Sequence, residues 1–554
     1  MKKMMCTVAL SVGDLIHTDV KRSVLASIGA GLLASTCVCA AERVESPYAD
    51  VQWDKTEYLH SFSHQHGHNP QVLWDMGYRH LPLSNYYPSK PFYPLPEAFS
   101  SEHPDAIGGP NAEQHSVIDM GIHFNVLGSL YATGYGHTPR IQAGTAPVEY
   151  VFEGLTVSDS QKNPGSSVYR LDLGFAPTDG AEPKVSASLT VEGAIRVEWG
   201  TFARVDDGMM QDFPLTDQSP QSFYLKAQSD RIRVKIDFDP VLTKIARFRM
   251  MQGVNRPWRD AFRSGLDGKR KDAQGNPVEG LLYPDAGGIT INHPNCGLES
   301  MLTMLDFDDR VLGHEIWNHR RLFGASATQK DAMGFYNLWD DVLRTGRRCF
   351  GFFVKDHYLY GRGRNVLLVP DMSELTAEER EREALLAYRQ GRFFGLIGAM
   401  SVDASGKVVP PYDNSAFRFT RIAVRQDQGG VPSGLEVVVG GADQAQRPNT
   451  QIRFVTDQGV VSVANSDTAF FAFPRGADGS LLCRYVRAEA FAYPDTHLGG
   501  EPLTQEAFST MNVSQIVKLH DTVGDISRHD ISPKGQEPIG IVDMLFSQPI
   551  LIRE

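Results

Sequence analysis

Cysteine is scarce in this sequence, which has 6 cysteines among 554 residues, with half of them before position 40. The others, Cys296, Cys349 and Cys483, lie far apart. Such spacing argues against a disulfide-stapled scaffold and against a cysteine-based zinc site, although it leaves room for a single disulfide.

Basic charge is also in short supply, because 54 lysines and arginines face 66 aspartates and glutamates, for a formal net charge of -12. An acidic chain is a poor candidate for nonspecific binding to nucleic acid or to an anionic membrane surface, so we expect neither as a partner. The sequence also lacks a Gly-x-Ser-x-Gly motif and a Walker-type phosphate loop. These absences argue against serine-based catalysis and against nucleotide hydrolysis of the P-loop kind.

The small and apolar stretch at residues 23–36 is too short to span a bilayer. It follows Lys21 and Arg22, and small side chains continue up to Ala40. Basic residues, a short apolar core and a small-residue cleavage site form the pattern of a secretory signal peptide. We therefore expect residues 1–40 to be removed after Ala40, which would leave a periplasmic or extracellular protein without a transmembrane segment.

Histidine is concentrated at the first metal-ligand pattern of the chain, the segment from His60 to His68, which follows a strand-like stretch over residues 51–59. Side chains two positions apart in an extended chain point to the same face, so His64 and His66 could present two ring nitrogens to one ion. Imidazole ligands suit zinc, iron, nickel and copper, and a mixed imidazole and carboxylate set also admits manganese. The alternative interpretation is a histidine-rich surface loop.

Further ligand-type residues stand at the ends of short β-rich runs downstream. His293 ends one run, Glu315 and Asn318 lie in the next, and Asp356 and His357 end a third. Helical patterns separate these runs. Strand, ligand and helix in alternation predict a (β/α) barrel, which carries its active site on the C-terminal ends of its strands.

These motifs resemble those of the polymerase and histidinol phosphatase (PHP) family of metal-dependent phosphoesterases. That family opens with a His-x-His, continues with a glutamate and a histidine, then has a strand-end His-Pro and a Glu-x-x-Asn element, and closes with an Asp-x-His. The resemblance runs discontinuously through roughly residues 55–400. The matching positions are His64, His66, Glu113, His123, His293, Glu315, Asn318, Asp356 and His357.

The resemblance implies a distorted seven-stranded β/α barrel with two or three metal ions. The implied metal ligands are His64, His66, Glu113, His123, His293, Asp356 and His357. Two departures favour two ions, of manganese, zinc or iron. The Thr-Asp-His that ends the family's second strand is missing near Asn85, and the closing motif is contracted to adjacent Asp356 and His357. Adjacent strand residues point to opposite faces, so one of this pair is not expected to be a ligand unless the backbone bends.

The predicted fold class is α/β, with a PHP-like distorted (β/α)7 barrel in two parts, residues 41–140 and 241–404. A β-rich insertion is expected at residues 141–240, where apolar and polar residues alternate. After residue 404, short alternating runs separated by Gly-rich turns predict a C-terminal β-sandwich domain over residues 405–554.

The resemblance further implies hydrolysis of a phosphate ester on a small phosphorylated molecule. Two ions roughly 3.5–4 Å apart can activate a bridging hydroxide and neutralise charge on the phosphoryl oxygens. The candidate catalytic residues are Glu113, Asp356 and His357, and the candidate substrate-binding residues are Asn85, Glu315, Asn318, Lys355 and Arg364. Glu315 or Asn318 could instead accept a hydrogen bond from a ligand histidine. Two other hypotheses stay open: a barrel metallohydrolase that acts on C–N or C–O bonds, and a noncatalytic binding protein with a degenerate metal site.

Overall fold

The computed structural model of the chain describes residues 43–553 with several gaps. The gaps are residues 67–68, 85–92, 115–116, 119–121, 132–145, 154, 156, 159–166, 179–186, 199–200, 202, 206–220, 253–255, 270–276, 278, 319–333, 357–362, 399–415, 498–499 and 521–540. The described residues belong to one compact unit, Glu42–Glu554. The predicted signal segment, residues 1–40, lies outside the described residues.

Strands dominate the described chain. In chain order they are β1 (Arg43–Glu45), β2 (Glu57–Ser61), β3 (Glu113–Gln114), β4 (Val117–Ile118), β5 (His123–Leu127), β6 (Val148–Phe152), β7 (Val168–Pro177), β8 (Ala187–Glu192), β9 (Ala194–Val197), β10 (Gln221–Ala227), β11 (Ile232–Phe238), β12 (Thr243–Gln252), β13 (Arg256–Pro257), β14 (Gly288–Asn292), β15 (Val311–Asn318), β16 (Phe350–Val354), β17 (Gly363–Val369), β18 (Phe393–Ile397), β19 (Arg418–Gln426), β20 (Pro432–Gly440), β21 (Asn449–Thr456), β22 (Gly459–Ala464), β23 (Thr468–Ala472), β24 (Tyr485–Tyr493), β25 (Asp543–Ser547) and β26 (Ile550–Arg553).

The helices are mostly short. They are α1 (Pro70–Asp75), α2 (Glu97–Glu102), α3 (Trp258–Asp267), α4 (Leu298–Leu305), α5 (Gly334–Arg344), α6 (Ala377–Gln390), α7 (Gln505–Thr510) and α8 (Val513–His520). Helix α6 begins after a capping box made by Thr376 and Glu379, and it ends at Gly391, which has a left-handed φ of 71°. None of the described helices combines the length and the apolar character that a bilayer crossing requires.

A nine-stranded antiparallel sheet links the beginning and the end of the described chain. Its order is β1-β26-β24-β25-β18-β17-β2, and β21 joins β22 to β24. Side chains along β24 alternate between two cores: Val486 and Ala488 pack on one face, whereas Tyr485 and Phe491 pack on the other. This two-residue period is what an extended strand buried on both faces produces.

Each face of the nine-stranded sheet is covered by a different layer. The three-stranded sheet β19-β20-β23 covers one face, where Phe419 and Leu435 share a core with Val366. Helix α5 and strands of a mixed sheet cover the other face, where Trp339 shares a core with Phe546.

The mixed five-stranded sheet has the order β16-β15-β14-β5-β3. Strands β14, β15 and β16 are parallel, and α4 and α5 connect them in succession. Strand β5 is antiparallel to both β14 and β3. A parallel β-α-β-α-β unit, β14 to β16, therefore forms one side of this sheet, and the antiparallel strands β5 and β3 form the other side.

Two antiparallel sheets, β12-β7-β10-β9 and β6-β11-β8, contain the strands described between residues 148 and 252. In β11, buried Ile232, Val234 and Ile236 alternate with exposed charged residues. They share one core with Leu171 and Phe223 of the other sheet. The described part of the expected β-rich insertion, residues 141–240, lies in these two sheets, and the predicted domain limits stay a prediction.

The predicted PHP-like (β/α)7 barrel is wrong. Such a barrel is a closed ring of parallel strands joined by helices. Within the described residues, parallel strands joined by helices occur only in the β14–β16 unit, while β17 runs antiparallel to both β2 and β18. The apolar residues 366–369 of β17 are fully buried because layers cover both faces of the antiparallel sheet. A sheet between two layers and a barrel wall give the same run of apolar residues, so the run does not reveal strand direction.

Candidate metal centre

The His-x-His segment lies beside Asp356, the second residue after the end of strand β16. The Asp356 N–H donates to His64 O at 3.1 Å, and the His66 N–H donates to Asp356 O at 2.9 Å. A parallel bridge pairs Gln65 with Asp356. Because side chains alternate along an extended chain, His64 and His66 share one face at this point.

One group of ligand atoms consists of His64, His66, Glu113 and Asp356. The Nε2 atoms of His64 and His66 lie 3.0 Å apart, and Glu113 Oε2 lies 3.3 Å from the first and 2.7 Å from the second. Asp356 Oδ1 lies 3.4 Å from His64 Nε2 and 3.7 Å from His66 Nε2. Two imidazole nitrogens and two carboxylate oxygens therefore converge on one small volume.

A second group consists of Glu113, His123 and His293. Glu113 Oε1 lies 2.9 Å from His123 Nδ1 and 3.3 Å from His293 Nε2. The two groups share the Glu113 carboxylate, which turns one oxygen toward each of them. A carboxylate with this disposition is suited to bridge two cations.

The two groups differ in their access to solvent. The side chains of His64, His66 and Glu113 are buried, whereas those of His123 and His293 are 36% and 19% exposed. The Asp356 carboxylate, at 17%, is also partly exposed. The second group therefore faces the open side of the site, where another molecule could reach it.

Strand register explains how Glu113 and His123 meet. Across the β3–β5 pair Glu113 lies opposite Asn125, and across the β5–β14 pair His123 lies opposite Asn292. His293 is the next residue after β14, which places it at the same end of the sheet as His123.

The backbone bends at two of the ligand-type residues. His293 has φ 24° and Asp356 has φ 55°. Positive φ is uncommon for residues other than glycine, and it clusters at functional sites. The bend at Asp356 interrupts the strand alternation, so this carboxylate can join the histidines although it follows a regular strand. His357, its predicted companion, lies outside the described residues, as does Asn85.

Glu315 lies behind His64 rather than at the opening. Its Oε1 is 2.7 Å from His64 Nδ1, and its Oε2 accepts hydrogen bonds from the His293 N–H at 2.6 Å and from Asn318 Nδ2 at 2.9 Å. A register shift between Glu315 and Trp317 restores a common face for Glu315 and Asn318, which would otherwise point apart. Of the two alternatives from the sequence, this geometry fits the hydrogen-bond acceptor, and the substrate-binding role of Glu315 and Asn318 stays a prediction.

Opposing effects act on the titration of the site. Burial alone would lower the pKa of His64, but the charges of Glu113, Asp356 and Glu315 raise it well above its usual range. Burial would raise the pKa of Asp356, yet the neighbouring His64 and His66 lower it. The carboxylates therefore favour cationic occupants of this volume, whether protons or metal ions.

Lys355 and Arg364 are fully buried, which separates them from the open side of the site. Lys355 Nζ lies 4.5 Å, and the Arg364 guanidinium carbon 4.7 Å, from the centre of the Tyr78 ring. Arg364 also contacts His60, whose pKa is lowered well below its usual range by burial and by the Arg364 charge. Their role as substrate-binding residues stays a prediction, and their described contacts are internal.

Three buried asparagines near the ligands were missed by the sequence reasoning. They are Asn111, Asn125 and Asn292. Their positions carried a usable signal. Asn111 and Asn125 lie two residues from Glu113 and His123, a spacing that places side chains of an extended chain on one face, and Asn292 directly precedes His293.

The buried histidine, glutamate and aspartate groups described above could hold a metal ion. A scan against protein-family models and a search of curated proteins both return no match for this chain.

Proposed function

We propose that this protein is a metal-dependent hydrolase, a phosphoesterase that uses two divalent ions of manganese, zinc or iron. The observation that carries the proposal is the Glu113 carboxylate, shared between a group of four ligand residues and a group of three. Imidazole and carboxylate donors together suit these metals. Two-metal sites are typical of enzymes that hydrolyse phosphate esters.

In such a site the ions would lower the pKa of a bound water and neutralise charge that develops on the phosphoryl oxygens. His64, His66 and Asp356 would hold the enclosed ion, and His123 and His293 would hold the more open one. Glu113 and Asp356 supply negative charge that partly balances the cations. Glu315 accepts the Nδ1–H of His64 and so leaves the Nε2 lone pair free to bind metal.

The exposed side of the second group favours a substrate that approaches past His123 and His293. Three protein ligands leave an open position on a metal ion, which a water or a substrate oxygen can take. We propose a small phosphorylated molecule as the substrate, because two divalent cations would complement the negative charge of a phosphoryl group. Export to the periplasm or beyond the cell remains a proposal that rests on the pattern up to Ala40.

The test is a substrate panel with the purified protein and added manganese, zinc or iron. The panel contains phosphomonoesters, phosphodiesters and simple amides, and the variants are His66→Ala and His497→Ala. His497 belongs to neither ligand group and serves as the matched control. We expect His66→Ala to lose metal and turnover together, while His497→Ala keeps both.

Each result assigns one function. Hydrolysis of a phosphomonoester or a phosphodiester that chelators abolish supports the proposal, and amide hydrolysis alone would assign the C–N alternative. Tight metal binding without turnover on any substrate would favour a binding protein. Full activity in His66→Ala, or activity insensitive to chelators, would refute the two-metal mechanism.

A further inference from the structure

A chain of buried side-chain amides leads from the backbone to the shared carboxylate. Asn111 Nδ2 donates to Ser63 O at 2.8 Å and to Pro82 O at 2.9 Å. Asn125 Nδ2 donates to Asn111 Oδ1 at 2.8 Å, and Asn292 Nδ2 donates to Asn125 Oδ1 at 2.5 Å. Asn292 Nδ2 also donates to Glu113 Oε1 at 3.3 Å.

The direction of this chain is set at its far end. An asparagine side chain can be turned so that its oxygen and nitrogen exchange places. Asn111 cannot turn without loss, because both of its nitrogen partners are backbone carbonyls, which only accept hydrogen bonds. Its oxygen must then accept from Asn125, and the oxygen of Asn125 must accept from Asn292. An N–H group is therefore obliged to face Glu113.

The oxygen that receives this bond belongs to the second ligand group. Glu113 Oε1 is the atom near His123 Nδ1 and His293 Nε2, whereas Oε2 faces His64 and His66. Asn111, Asn125 and Asn292 have no exposed surface, so water does not compete for these bonds. The bond to Oε1 fixes the rotation of the carboxylate about its last torsion.

We infer that Asn292 is a positioning residue, which holds Glu113 in the orientation that bridges the two ligand groups. The inference rests on the proposed two-ion site and adds a cause for its geometry. Partners that orient metal ligands in this way contribute about 10- to 100-fold to metal affinity. Because Asn292 bonds only Oε1 of Glu113, its loss should weaken ion binding at the second ligand group more than at the first.

The test measures metal binding without any substrate. Metal-free wild type, Asn292→Leu and Thr290→Val are titrated with Mn(II), and binding is followed by calorimetry and by electron paramagnetic resonance. Thr290 is a matched control: it is on the same strand, it is also fully buried, and its hydroxyl makes no hydrogen bond with a described residue. Circular dichroism and thermal unfolding check that each variant folds.

We expect wild type and Thr290→Val to bind two ions and to show the resonance of a coupled ion pair. Asn292→Leu should keep the first ion, lose the pair resonance and bind the second ion about 10- to 100-fold more weakly. Wild-type affinity for both ions, or equal loss of both, would overturn the positioning role. A wild type that binds a single ion would overturn the two-ion site and this role with it. If Asn292→Leu does not fold, Asn125→Leu, which interrupts the same chain one link earlier, must show the selective loss.

Discussion

Replacing Glu315 with glutamine tests how the tautomer of His64 is set. An ionised Glu315 can only accept, and three N–H donors reach it: His64 Nδ1, the His293 backbone and Asn318 Nδ2. A glutamine has one acceptor oxygen and one donor group. If its oxygen keeps the two bonds from His293 and Asn318, its NH2 group faces His64 Nδ1 and forces the ring proton onto Nε2.

A proton on His64 Nε2 occupies the lone pair that would bind metal. We therefore expect Glu315→Gln to weaken metal binding by about 10- to 100-fold, which is about 1.4–2.7 kcal/mol. The opposite arrangement, with the oxygen toward His64, would spare the ring but place the NH2 group against two N–H donors. Leaving such buried groups unsatisfied costs about 1–3 kcal/mol of folding free energy each.

The assay is a calorimetric titration of metal-free protein with Zn(II), together with chemical unfolding of the same samples. Glu299→Gln, an exposed position in the first turn of α4, is the matched control and should leave both quantities unchanged. Wild-type metal affinity combined with wild-type stability in Glu315→Gln would refute the reasoning, because neither arrangement of the amide satisfies all three donors.

Three further predictions follow from buried charges. The pKa of His64 is raised in the folded protein, so this residue stabilises the metal-free protein at pH values below its pKa in the unfolded chain, about 6.5. This stabilisation is lost as the pH rises through the folded pKa. Unfolding in the presence of a chelator should therefore show a lower stability at pH 9 than at pH 6. Burial raises the pKa of Glu381 from 4.5 to about 7, although hydrogen bonds from two tyrosines act in the opposite direction. The free energy of unfolding of wild type should therefore fall by up to about 3 kcal/mol as the pH rises through this range. Urea unfolding should show a smaller pH dependence of this free energy in Glu381→Gln. Arg487→Met leaves the carboxylates of Asp340 and Glu489 buried without the guanidinium group, which lies 2.8 and 2.5 Å from them. Unfolding in guanidinium chloride should therefore show a free energy of unfolding lower by about 3–5 kcal/mol. A decrease below about 1 kcal/mol would contradict this prediction.

Local spacing in the sequence indicated how two of the candidate ligands are arranged, but it did not indicate how the strands are paired. His64 and His66 are two residues apart, and that spacing alone places their rings on one face of an extended chain. The glycine that follows α6, Gly391, is a second local signal, since glycine readily adopts the left-handed conformation that ends a helix. Both features depend on a few neighbouring residues, so they are visible without knowledge of tertiary structure.

Strand direction depends on distant partners, which explains the failure of the predicted barrel. Strand β17 pairs with β2, about 300 residues earlier in the chain, and with β18, the next strand after α6. Its run of apolar residues is the same for parallel and antiparallel pairing. The register shift after Glu315 is also invisible in the sequence, although it decides which side chains share a face with this residue.

The backbone at two of the candidate ligand residues is strained, and contacts with the surrounding chain hold it in place. The positive φ of His293 and of Asp356 costs on the order of 1–3 kcal/mol each, and such residues persist where their surroundings determine them several times over. Here the pairing of Asp356 with residues 64–66 fixes one bend, and the bond from the His293 N–H to Glu315 fixes the other. A cation bound between the donors would stabilise only the folded state, by about 2.7 kcal/mol at a concentration one hundred times its dissociation constant. Metal binding and folding stability are therefore linked, whatever reaction the protein catalyses. A melting temperature that rises with metal concentration would support the ligand assignment. It would not decide between a phosphoesterase and a binding protein, because these two differ only in turnover.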